Sequence, residues 1–202
     1  MPIASSNSWK HLIFNTPPKI LIMKKILQIL TILTLAWGSA IAQDVYYTKS
    51  ATLKLNGELD GKALQLDTRQ LGVMLDYETT EIIIRFPLSS LKSGIDSLDR
   101  LIKSSPAEVV FDGSLSLEYI STENHPPLKF TAEGWLTVDK SKKLVTGEGE
   151  LHHLDDAGQI ACMMGMTLPL NLKDLGLRNP VPGLKDDFEA VITQAVLKKD
   201  KN

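Results

Sequence analysis

Sulfur and imidazole supply the most reactive side chains of this sequence. Cys162-Met163-Met164-Gly165-Met166 is a sulfur-rich run. On an extended segment alternate side chains share a face, so Cys162, Met164 and Met166 could together meet Cu(I), the ion that soft sulfur ligands select. Methionine is equally a filler of irregular apolar space, and the run reads both ways. His152 and His153 are adjacent, so on a strand they point to opposite faces and cannot both hold one ion without distortion. His125 lies in the loop Asn124-His125-Pro126-Pro127, and no spaced zinc motif accompanies it. Asp155 and Asp156 resemble a carboxylate pair, but with Ala157-Gly158 they read as turn formers. Lys173 and Asp174 read as a solvated or turn-stabilising pair. The sequence holds no Gly-x-Ser-x-Gly, no glycine-rich phosphate loop and no histidine set at a defined spacing to activate Cys162. These residues point to a binding protein without catalysis, cofactor or resident metal.

The elements that carry them follow a two-residue period. Leu71, Val73, Leu75 and Tyr77 alternate with Gly72, Met74, Asp76 and Glu78, and Ile82, Ile84, Phe86 and Leu88 alternate with Glu81, Ile83, Arg85 and Pro87. Leu115, Leu117 and Tyr119 repeat the pattern, as do Phe130, Ala132, Gly134, Leu136 and Val138. Such alternation predicts antiparallel strands with one buried and one wet face. Further strands are expected over Thr52–Leu59, Val109–Phe111, Val145–Leu154, Ile160–Leu170 and Phe188–Leu197. Asn56-Gly57, Asp60-Gly61 and Asp139-Lys140-Ser141-Lys142 carry turn chemistry. Gly147 and Gly149 fall on one face of their strand, which predicts a bend or a close approach by something bulky. Ile95, Leu98, Leu101 and Ile102 share a helical face, predicting a short helix over Ile95–Ser104. About eight hairpin-connected strands with one helix make an all-β fold, either a closed barrel or a two-sheet sandwich. The barrel is favoured because it leaves no exposed edges.

Residues 1–42 read as a leader. Met23-Lys24-Lys25, the 12-residue apolar run Ile26–Trp37 and Ala40-Ile41-Ala42 have the three parts of a secretory signal peptide. The run is well short of the roughly 20 residues that cross a bilayer. Met23 is the expected start, Ala42 the expected cleavage point, and no cysteine nearby offers a lipoprotein anchor. The rest, residues 43–202, is one domain's worth of chain, expected in the periplasm or secreted. Removing the leader's lysines leaves 18 basic against 24 acidic residues, a formal charge of −6, which argues against nucleic-acid binding. Cys162 is the only cysteine, so no internal disulfide can form, and stability must come from apolar burial and a hydrogen-bonded backbone.

Four stretches carry a family likeness. They are Pro106–Phe111, Gly134–Val138 with Ser141-Lys142 and Val145, Asn171–Leu177, and the closing strand Asp187–Leu197. In order and spacing they resemble the YceI-like family of periplasmic lipocalin-like barrels that bind polyisoprenoid lipids. The early strand lacks that family's histidine, Asp99-Arg100 stands in place of Arg-Asp, and Asp139-Lys140 replaces a glycine turn. The resemblance implies a hollow barrel with an apolar lipid as partner and transient contact with membranes. Its lining would be the inward set Leu71, Val73, Leu75, Ile82, Ile84, Phe86, Leu117, Phe130, Leu136, Met164, Met166 and Leu168. Alternatively these side chains simply fill the interior, leaving a structural or interaction module whose exposed Trp135 meets a partner.

Overall fold

Apolar alternation sustained from Val45 to Lys199 rolls the chain into a single ring of strands. The computed structural model describes residues 45–121, 126–156, 159–179 and 181–199. The leader, its cleavage point, His125 and the Ala157-Gly158 turn lie outside them. The strands are β1 (Val45–Leu59), β2 (Lys62–Asp76), β3 (Glu81–Pro87), β4 (Glu108–Leu115), β5 (Leu128–Val138), β6 (Ser141–Asp156), β7 (Gln159–Asn171) and β8 (Asp187–Lys199). Each pairs antiparallel with the next, and β1 pairs with β8 through registers such as Leu55 with Ala190. The ring is therefore closed, a lipocalin-like barrel, and the sandwich alternative is excluded.

One end of the barrel carries two tight hairpins and two long connections. At β1–β2, Asp60 and Gly61 adopt φ of 51° and 74°, the left-handed pair that a two-residue hairpin requires. Asp139 does the same at β5–β6 with φ 52°. The connection from β3 to β4 begins with a 3-10 turn over Leu88–Ser90 and continues into α1 (Asp96–Lys103). Asp96 and Asp99 lie in the first turn of α1 and Arg100 and Lys103 in the last, each complementing the helix dipole. Two backbone hydrogen bonds of 2.9 Å between Asp67 and Lys92 tie this connection to β2. The segment from β7 to β8 folds over the same end. There the Asp174 N–H donates to Asn171 Oδ1 at 3.0 Å, and the Lys185 N–H donates to the Glu58 carbonyl at 2.9 Å.

Three expectations need correction. Asn56-Gly57 is not a turn but lies within β1. A Cβ on Gly57 would sit 2.5 Å from Cε1 of Phe188, so this glycine admits a ring and does not reverse the chain. The strand predicted through Leu117 and Tyr119 stops at Leu115. Beyond it the phase inverts: Tyr119 is exposed and Ile120 buried, its N–H held by the Tyr77 carbonyl at 2.9 Å. Leu88 opens the 3-10 turn and does not end a strand.

Candidate ligand cavity

The inward-facing rows of the barrel divide into a filled half and a hollow half. The end where β2 meets β3 and β6 meets β7 is filled. Tyr46 stacks on Tyr77, and His153 meets the Tyr77 ring edge-on with centroids 5.9 Å apart. Leu151, Cys162 and Leu197 are fully buried beside them. Burial pushes the Tyr77 hydroxyl far above its ordinary pKa, and the neighbouring Cys162 and Tyr46 add to that. Burial likewise pushes the Cys162 thiol up to about 11, which keeps it protonated at neutral pH. The thiolate is the metal-binding form, so this environment favours the packing role of the sulfur run over copper binding. His152 faces outward, with Nε2 2.8 Å from Glu150 Oε1, while its neighbour His153 reaches the tyrosines. The two histidines thus sit on opposite faces, as the spacing requires.

The other half encloses a cavity of about 550 Å³. Its walls include Leu53 and Leu55 of β1, Leu64 and Leu66 of β2, Leu98 and Ile102 of α1, and Leu172, Leu175 and Leu177 of the β7–β8 segment, with β3, β4, β5, β7 and β8 contributing as well. Among the described residues the polar lining side chains are Ser105, Asp139 and Arg178. Pro106, Asp139 and Arg178 are exposed, so the cavity reaches the surface at the end that carries them. An enclosure with so few polar groups cannot satisfy a polar ligand, whereas a hydrocarbon asks for no partners.

Six residues expected in the lining border this cavity: Leu71, Ile84, Phe86, Leu136, Met166 and Leu168. Val73, Leu75, Ile82, Phe130 and Met164 are instead buried in the core outside this lining. Leu117 is partly buried beyond the end of β4 and does not border the cavity. Gly147 and Gly149 explain part of the division. A Cβ on Gly149 would lie 2.5 Å from Cζ of Phe130, and one on Gly147 would lie 2.7 Å from Cγ of Leu168. The groups that these glycines admit are therefore parts of the barrel itself, the Phe130 and Leu168 side chains together with the Gly165 and Thr167 carbonyls. Leu53, Leu55, Leu64 and Leu66 were missed although their alternation with Lys54 and Gln65 was available. The leucines at 172, 175 and 177 belong to an irregular segment without period, so no pattern pointed to them.

No family model and no curated protein matches the sequence. Solved structures do match. One is a polyisoprenoid binding domain from Saccharophagus degradans implicated in plant cell wall breakdown. It is 11% identical, with a TM-score of 0.58 over 78% of this chain and 99% of that one. The fold is the same. A second is Burkholderia cenocepacia BcnA, 9% identical, with a TM-score of 0.52 over 72% of this chain and 94% of that one. At these identities the likeness concerns the fold, which is the one the YceI-like resemblance implied.

Proposed function

We propose that this chain is an exported carrier of the YceI-like kind, holding the hydrocarbon of an apolar lipid such as a polyisoprenoid and performing no reaction. The cavity of about 550 Å³ with a nearly unbroken apolar wall carries the reading, and the polyisoprenoid-binding neighbour supports it. In this reading residues 1–42 are the leader, removed after Ala42, and residues 43–202 act in the periplasm or outside the cell. Leu71, Ile84, Phe86, Leu136, Met166 and Leu168 contact the tail. Moving ten methylenes from water into the barrel yields about 8 kcal/mol before ordering costs. Moving them from a bilayer yields almost nothing, because the lipid interior is equally apolar. Such energetics suit reversible loading at a membrane surface. Native mass spectrometry of protein taken directly from cells, before and after organic extraction, is the test. A bound hydrocarbon lost on extraction and regained from lipid is expected; a barrel that never takes one up overturns the reading.

A second reading has one specific observation in its favour. Trp135 and Leu144 face each other across β5 and β6 on the outer surface, 47% and 53% exposed. An interaction module would use this pair to hold a protein partner.

A further inference from the structure

We propose that the filled half of the barrel limits the length of the tail, restricting the cargo to single-chain amphiphiles of about fifteen to twenty enclosed carbons. This rests on the carrier reading and adds a ligand class to it. A methylene occupies roughly 25 Å³ at the packing density of protein interiors. The cavity of about 550 Å³ therefore matches one chain of about twenty carbons.

The far end has no exit. Ile84, Phe111 and Leu136 line the cavity and form one cross-strand row with Val73. Below that row Leu75 and Ile82 have no exposed surface, and the Tyr46–Tyr77 stack closes the space behind them. Phe130 packs behind that lining, in one cross-strand row with Gly149, Met166 and Ile192, of which Met166 and Ile192 border the cavity. The Phe130 ring lies where the Cβ of any residue other than glycine at position 149 would have to be, so the strand pairing Phe130 with Gly149 turns the ring into the barrel. The opposite end reaches solvent at the exposed lining residues Pro106, Asp139 and Arg178. A tail must therefore enter at that end and stop against the floor, with its polar head left at the entrance. Carbons beyond the enclosed length stay in water, and each costs roughly fourfold in occupancy relative to a bilayer.

The test is competition. The protein is equilibrated with phosphatidylcholine vesicles containing an equimolar series of straight-chain alcohols, from about eight to about thirty carbons, and its cargo is read by native mass spectrometry. Occupancy is expected to peak at about fifteen to twenty carbons and to fall steeply above that length. Phe130→Ala should move the peak upward by several carbons. Ala190→Leu, which adds bulk to a lining position and leaves the floor intact, should move it downward; this variant carries the test if Phe130→Ala does not fold. Occupancy that stays level or rises through the longest alcohols, or a peak that neither variant moves, overturns the length limit and leaves the carrier reading standing. No uptake at any length overturns both.

Discussion

Tyr46 and Tyr77 stack with ring centroids 3.9 Å apart and planes inclined by 18°. Tyr46 comes from β1 and Tyr77 from the turn just after β2, near the registers Tyr46 with Leu75 and Val45 with Asp76. Cys162 of β7, two strands from β1 across β8, interacts with the same Tyr77 hydroxyl. β1, the end of β2 and β7 are thus joined through two phenols and a thiol, with burial holding Tyr77 and Cys162 in their neutral forms.

This closed end predicts a loss of stability in alkali. The Cys162 thiol titrates near 9.0 when unfolded and at about 11 in the barrel, so the folded state favours the protonated form. Its contribution is complete below pH 9.0 and disappears as pH rises towards about 11, about 3 kcal/mol in all. Tyr77 acts in the same direction. Urea unfolding across this range should give a falling midpoint for the wild type, flattened in a Cys162→Ala, Tyr77→Phe double variant. A parallel decline in both proteins would place the alkaline sensitivity elsewhere.

Thiol chemistry offers an independent check. Cys162 is fully buried and kept neutral, so alkylation at pH 8 should be slower than for an unfolded control by a factor of 10³ or more, on the order of the folded-to-unfolded ratio. Rapid labelling of the native barrel would mean that this end opens.

Gly149 should tolerate no side chain. A methyl group there would run into the Gly165 carbonyl oxygen as well as the Phe130 ring, and overpacking of this kind costs about 1–3 kcal/mol. Gly149→Ala should lower the denaturation midpoint by that amount, and pairing it with Phe130→Leu should restore part of the loss. Additive losses in the double variant would show that the ring is not what the methyl group meets.

Met166 lies on the cavity wall and Trp135 on the outer surface, so they separate the two functional readings. Met166→Gln puts an unpartnered amide against the tail at nearly constant volume, which should weaken lipid uptake about tenfold or more. Trp135→Ser should leave uptake unchanged and shift stability by no more than about 0.5 kcal/mol. If instead Trp135→Ser abolishes capture of a partner while Met166→Gln is silent, the interaction module is the better account.

Most of the fold was legible because a barrel strand has one wet and one dry face, and that contrast is written residue by residue. Leu71, Val73, Leu75 and Tyr77, Ile82 to Phe86 and Phe130 to Leu136 point as their alternation requires. Asp76, expected on the wet face, is instead buried, with its Oδ1 accepting from the Glu78 and Thr79 N–H groups. Helix α1 was legible in Leu98 and Ile102, which face the cavity, whereas Ile95 and Leu101 of the same expected face are exposed. Errors arose where a local signal has two meanings. Asn56-Gly57 has turn composition, yet Gly57 is needed for the ring of Phe188. Leu117 continues the alternation of β4, but the backbone leaves the sheet at Leu115. The cavity was legible only in part. Alternation says which side chains face inward; it does not say at what height the interior stops being full. That boundary depends on Phe130 over Gly149 and on the tyrosine stack, contacts between residues far apart in sequence.

The seam between β1 and β8 also bears on how the molecule is made. Asn56 pairs with Glu189, so the ring cannot shut until the final strand arrives. Non-local pairing of this sort is slow to form, and until it forms both rims present unsatisfied backbone to any passing strand. The vulnerable moment in this protein's life is therefore its birth, with greasy walls laid out flat before they have anything to enclose.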